Sequence, residues 1–450
     1  MLLTAALALP MDGADPIHDA AVLLDGARIV AVGTRAEVAA LPEAAGHERV
    51  DFGAAILLPG LVNAHIHLEY TRLGPISAPQ PFFPWLRGLV AWAQEQTPDS
   101  WLVSARDGAR QSLQGGVTCL GEIVTRGQGA VALADAGLHG VAYAEFLGAK
   151  DSEMPARWER YAGLVGSTRE AVARRDDAGL RLGVSPHTPY TVPGDAIGAL
   201  AQRAAAEQLP LAIHVAESAN EVALFQAGAG PLADFLSAPE MCDDAGTPRA
   251  PFRAGGYGLT PAAYTATQDV FAAGAPVLFI HGVHLDQDDV ELLTERSAAV
   301  ALCPRSNALL ECGGEAPVAD LLDAGVTLGV GTDSLGSNLD LDLFNELRAL
   351  ADLVRRQHGG ATDEAALARR MLEIATAEGA RALSLGDQLG ALAPGRLADL
   401  AVLPLLPGAH DEPFRAVLAQ ASAAAVRATI INGRIVYAAR DTAALLEAHD

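Results

Sequence analysis

Hydrophobic and polar positions follow two textures along this chain. Near the N-terminus, short apolar runs are broken by turns: Ala20 to Leu24, then Asp25-Gly26, then Ala27 to Val32. An Asp-Gly pair between two apolar runs is hairpin chemistry. The texture returns late. Leu397 to Val402 reads as a strand after Pro394-Gly395, and Val426 to Ile431, Asn432-Gly433 and Arg434 to Tyr437 read as a hairpin. The two ends, residues 1–58 and 390–445, are therefore expected to pair into one small β-sandwich. In residues 59–389, apolar runs of strand length alternate with helical stretches such as Asp195 to Gln208 and Asp286 to Glu295. That alternation predicts a parallel α/β fold. Strands are expected near 61–67, 117–123, 140–147, 181–187, 211–217, 277–283, 298–303 and 326–333, and eight of them suit a (β/α)8 TIM-like barrel.

Several of these runs end in polar residues that can do chemistry. Leu58 to Glu69 ends in His65-Ile66-His67. On a strand, side chains at i and i+2 leave the same face, so both imidazoles can reach one metal ion; on a helix they would diverge by roughly 200°. Leu211 to Glu217 carries His214 and Glu217, Val277 to His284 carries His281 and His284, and Val326 to Ser334 carries Asp333. A parallel barrel collects its active-site residues from the C-terminal ends of its strands.

On these motifs the chain resembles the amidohydrolase superfamily, in the branch of metal-dependent aminohydrolases and chlorohydrolases, over nearly its whole length. The resemblance implies the same composite end domain. It also implies one divalent metal held by His65, His67, His214 and Asp333. Zinc suits that donor set first, with iron or manganese as alternatives. Some relatives bridge two metals with a carboxylated lysine after strand four. Here His187 stands at that place and the only lysine is Lys150, so a single metal is expected. Such an ion makes hydroxide available near neutral pH. Glu217 would shuttle protons to the ring nitrogen and the leaving ammonia. Asp333 would also take the proton of the attacking water, and His281 would hydrogen-bond that water or the developing charge. Ser334 could orient Asp333, and His284 reads as structural.

Three segments bear on the substrate. Ser185 to Tyr190 resembles a segment that supplies a ribose-contacting histidine in nucleoside-deaminating relatives, here His187. Cys303-Pro304-Arg305-Ser306-Asn307 places Arg305 and Asn307 after strand seven. Arg305 either pairs with a substrate carboxylate or makes a structural ion pair. Glu69, just past the metal histidines, is a candidate pocket residue. Together these resemble the aminodeoxyfutalosine deaminases of menaquinone synthesis, whose substrate is an adenine nucleoside carrying a carboxyphenyl ketone. The alternatives are deamination of S-adenosylhomocysteine, methylthioadenosine or guanine, triazine dechlorination, and amide hydrolysis on the same scaffold. The segment from about 228 to 262 is either a substrate-covering loop or a surface insertion.

Composition narrows partners and place. A net charge of −24 argues against nucleic acid and anionic membranes, both of which reward a basic surface. The partner expected is a small-molecule substrate. Relatives are often dimers, which leaves room for a homodimer, but no stretch marks its interface. Cys119, Cys242, Cys303 and Cys312 are scattered with no C-x-x-C and read as reduced thiols of a cytoplasmic protein. The N-terminal apolar run has no basic region before it and reads as a strand, not a signal peptide.

Overall fold

The computed structural model describes residues 1–148, 153–175, 179–237, 252–271, 274–360 and 362–447. Five strands come first: β1 (Leu2–Ala8), β2 (Ile17–Asp25), β3 (Arg28–Thr34), β4 (Arg49–Asp51) and β5 (Ala55–Pro59). Eight follow in a second sheet: β6 (Leu61–Ile66), β7 (Val117–Val124), β8 (His139–Phe146), β9 (Leu180–Pro186), β10 (Leu211–Val215), β11 (Val277–His281), β12 (Ala299–Leu302) and β13 (Thr327–Val330). Three close the chain: β14 (Leu400–Pro404), β15 (Ala428–Ile431) and β16 (Arg434–Ala438).

The two chain ends meet in one mixed sheet of order β16-β15-β14-β5-β1-β2-β3, with β4 also on β1. β14 runs antiparallel to β5, pairing Leu400 with Pro59 and Val402 with Leu57. All its strands are hydrogen-bonded into one sheet, yet residues from both halves, such as Val22 and Ile430, share one apolar cluster. The sheet therefore curls over its own core. Strand alternation decides the two faces. Leu57 and Val402 point into that cluster, whereas Ile56, Leu58, Ala401 and Leu403 join the large cluster that packs the barrel.

The second sheet runs β13 to β6 in strict sequence order, with every pairing parallel. β13 returns to β6 and nearly closes the barrel. Across that seam the Asp333 N–H donates to the His65 carbonyl at 3.1 Å. Asn63 donates from Nδ2 to the Thr332 hydroxyl at 2.8 Å and accepts from the Thr332 N–H at 3.2 Å. Gly331 is needed at the seam, because a Cβ there would sit 2.7 Å from the His65 carbonyl oxygen. Inside, Val62, Ala64, Ile123, Tyr143, Ala212, Leu278 and Ile280 fill the barrel, so it is a packed core and not a channel. No helix among the described residues is long and apolar enough to cross a membrane.

Candidate active site

The eight expected strands are all present, and the chemistry-bearing residues lie at their C-terminal ends. How two of them point inward was not written in simple alternation. Val62 and Ala64 face the barrel interior, which would send His65 outward. The pairing with β7 shifts register between Asn63 and Ile66, and Ile66 packs outside with Leu61. That irregularity, acting as a bulge does, turns His65 and His67 inward together. At the end of β11, Leu278 and Ile280 point in and Phe279 out. His281 breaks the alternation with a left-handed backbone, φ 75°, and Asp333 has φ 56°. Non-glycine residues in that region store backbone strain, which concentrates at functional sites.

Four side chains converge. The ring centroids of His65, His67 and His214 lie 4.9 to 5.5 Å apart. Asp333 Oδ1 is 3.5 Å from His65 Nε2 and 3.7 Å from His67 Nε2. Donor atoms of His65, His67 and His214, and of His65, His281 and Asp333, cluster closely enough to ligate one ion. Two facts show that the set fits a cation. Both ring nitrogens of His65 and Nδ1 of His67 are buried with no hydrogen-bond partner, a costly arrangement that a cation would relieve by taking the one lone pair each neutral ring carries. Burial also disfavours the charged form of two of these rings: it lowers His67 to about 3 and drives His214 well below its usual value. The His214 Nδ1–H donates to the His187 carbonyl at 2.9 Å, which fixes its tautomer and leaves Nε2 free to ligate.

Asp333 is aimed by two hydroxyls. Ser306 and Ser337 donate to its Oδ2 at 2.7 and 2.8 Å. Burial pushes its pKa up, but His65 at 3.5 Å and the other imidazoles around it outweigh this and hold it well below the usual carboxylate range. Ser334 acts one step removed, through the Ser337 hydroxyl at 3.0 Å. Beside this set, Glu217 Oε1 lies 3.5 Å from His281 Nε2. Burial, with Asp333 and Glu221 nearby, pushes the Glu217 carboxyl well up. The Glu217 N–H is held by Glu221 Oε2 at 2.9 Å.

Above this floor opens a cavity of about 270 Å³. The helix Phe82–Gln94 gives it an apolar wall of Phe82, Trp85, Leu86, Leu89 and Val90, while Tyr70, Arg126, Glu145, His187 and Tyr190 line the rest. Residues 238–251 of the expected covering loop lie outside the described residues. Of its described part, Leu232, Leu236, Phe252, Tyr257 and Leu259 pack with Tyr190, Leu224 and Phe225.

Three expected substrate contacts are corrected. Glu69 does not line the cavity. Fully buried, it accepts backbone N–H bonds from Thr125, Arg126, Gln128 and Gly129 at 2.7 to 3.1 Å and so shapes the turn after β7. Glu69→Ala would orphan four backbone donors, one buried and three part-buried, and urea unfolding should read a loss of about 3 kcal/mol. Arg305 lies outside the cavity, with its guanidinium on both Asp340 oxygens at 2.7 and 3.1 Å and near Glu346 at 3.4 Å; it is the structural ion pair. Asn307 accepts the His281 Nδ1–H at 2.9 Å and positions that ring. His284 is structural, its Nε2 bonded to the Cys312 carbonyl at 2.8 Å. Sequence reasoning missed Ser306, Ser337 and Glu145. Glu145 lies near the end of its strand as the other polar site residues do, and that position was the available signal.

Residues 56–436 match the model of the amidohydrolase family. The chain is 32% identical over 454 residues to a 5-methylthioadenosine/S-adenosylhomocysteine deaminase of Pelotomaculum thermopropionicum, covering 97% of this chain and 93% of that one. It superimposes on a zinc-bound adenosine deaminase of Xanthomonas campestris with a TM-score of 0.76 at 27% identity, covering 100% and 96%. Helicobacter pylori aminofutalosine deaminase in complex with methylthio-coformycin gives a TM-score of 0.79 at 22% identity, covering 97% and 100%, a likeness of fold.

Proposed function

We propose that this chain, which belongs to the amidohydrolase family, is a metal-dependent deaminase of adenine nucleosides, with 5′-thio-substituted adenosines as its preferred class. The observation that carries the reading is the Glu217–His281 pair set against the His65, His67, His214 and Asp333 cluster on the floor of a largely apolar cavity. The near full-length similarity to a methylthioadenosine and S-adenosylhomocysteine deaminase supports the choice of substrate.

In the reaction a water oxygen adds to C6 of the purine, the C6–N bond breaks, and ammonia leaves a hypoxanthine nucleoside. A divalent cation held by His65, His67, His214 and Asp333 would supply Lewis acidity and make hydroxide available near pH 7. The protein handles the protons. Glu217, whose carboxyl burial pushes well up, donates to ring nitrogen N1 as C6 becomes tetrahedral, then moves the remaining proton of the new C6 hydroxyl to the amino group, and the proton that Asp333 took from the water restores it. His281 stays neutral, its pKa lowered to about 4 by burial. Its Nδ1–H is committed to Asn307, so Nε2 accepts a hydrogen bond from the attacking water. Asp333 Oδ2 is occupied by two serine hydroxyls, which leaves Oδ1 to take the water proton.

One observation favours a second reading, a substrate with a carboxylated 5′ arm such as S-adenosylhomocysteine or aminodeoxyfutalosine. Arg126 lines the cavity, with its guanidinium 5.8 Å over the Trp101 ring, placed to meet an anion. Arg305→Ala should leave the kcat/KM ratio of S-adenosylhomocysteine to methylthioadenosine within about twofold, while Arg126→Ala should lower it about tenfold. Equal ratios in wild type and both variants would remove the carboxylate role. The test of the proposal is ammonia release from methylthioadenosine, S-adenosylhomocysteine, aminodeoxyfutalosine, adenosine, guanine and an N-acyl amino acid. Fastest release from the thio-substituted adenosines is expected. Turnover of guanine or of the amide alone would overturn the reading.

A further inference from the structure

We infer that the Glu145 carboxylate accepts hydrogen bonds from the 2′ and 3′ hydroxyls of the substrate ribose, and so makes the site selective for ribonucleosides over free bases and deoxynucleosides. The inference rests on the nucleoside reading above.

Glu145 is the penultimate residue of β8 and borders the cavity, yet it is only 5% exposed. Its Oε2 is held by the Thr125 hydroxyl at 2.7 Å. Its Oε1 is buried with no hydrogen-bond partner among the described residues. A carboxylate only accepts, and a buried oxygen without a donor is unfavourable. A ligand that brings O–H donors to this spot satisfies it.

The surroundings narrow that ligand. His187, just past β9, presents Nε2 3.9 Å from Glu145 Oε1. This is too long for a hydrogen bond, but one hydroxyl oxygen between the two would lie within reach of both. The His187 ring is steadied by its Nδ1 at 2.8 Å from the Thr191 hydroxyl. Donor atoms of Glu145, His187 and His214 all lie within 4.8 Å of one another. Glu145 thus sits beside the floor, where the group attached to the reacting base would lie, and not where the 5′ substituent would extend. Two neighbouring hydroxyls at that depth match the carboxylate's open acceptor sites, as acidic residues read ribose in dinucleotide folds. A second metal ion is the rival occupant. Against it, His214 gives its Nδ1–H to the His187 carbonyl and has one lone pair left, beside His65 and His67.

The test compares kcat/KM for adenosine and 2′,3′-dideoxyadenosine in wild type, Glu145→Leu and Glu145→Gln, with metal content measured on each preparation. Wild type should prefer adenosine by about 10- to 100-fold. Glu145→Leu should bring the ratio close to one, Glu145→Gln should fall between, and metal content should not change. Because each ratio is taken within one preparation, loss of folded protein cancels. Calorimetric binding of inosine against 2′,3′-dideoxyinosine repeats the comparison without turnover. A wild-type ratio near one, a preference kept in Glu145→Leu, or metal lost with Glu145 would overturn the inference and leave the deaminase reading standing. Failure of wild type to deaminate any adenine nucleoside would instead remove that reading, and this inference with it.

Discussion

Glu217→Gln should lower kcat by about 10²- to 10⁴-fold and leave metal content and thermal stability close to wild type. Glutamine keeps the shape and can still hydrogen-bond, but it cannot give a proton to N1 or carry one to the leaving amine. The placement makes the prediction specific: Glu217 lies outside the close donor groups around His65 and contacts His281 instead. Steady-state kinetics with metal analysis on the same sample reads it. A loss of metal would make Glu217 a ligand, and turnover within about threefold of wild type would remove it from the proton path.

His65→Ala should abolish metal binding and lower activity by about 10³-fold or more. His65 is the centre of the set, with both ring nitrogens buried and without partners. A tightly bound ion at 1,000 times its Kd stabilises the folded state by about 4 kcal/mol. Wild type should therefore melt lower after chelation, whereas His65→Ala should melt at the same temperature with and without chelator. Scanning calorimetry on four samples separates the outcomes. A chelator-sensitive Tm in the variant would show that the ion is held elsewhere.

Much of the fold could be read in advance because barrel strands are short, apolar and separated by amphipathic helices. The eight barrel strands β6 to β13 follow from that pattern; the two chain ends, expected as a sandwich, meet in one curled sheet. The alternation rule located His214 directly, but it could not foresee the register shift near Ala64 or the left-handed backbone at His281. Those depend on how β6 and β11 meet their neighbours. The fates of Arg305 and Glu69 were set by partners far along the chain. Asp340 and Glu346 lie 35 and 41 residues from Arg305, and the N–H groups that claim Glu69 come 56 to 60 residues later. A charged residue beside a motif looks the same in sequence whether it meets substrate or a distant backbone turn. The helix Phe82–Gln94 went unassigned for a related reason: its apolar residues serve a cavity wall and not the core, and among them only Phe82 is buried.

The most direct measurement is the fate of methylthioadenosine with zinc-loaded protein, followed by the shift of the purine absorbance and by ammonia released. The account predicts one ammonia per hypoxanthine nucleoside formed, with the glycosidic bond intact and the rate lost on chelation and regained with zinc. Release of free adenine, or no change in the purine while an amide is hydrolysed, would contradict it.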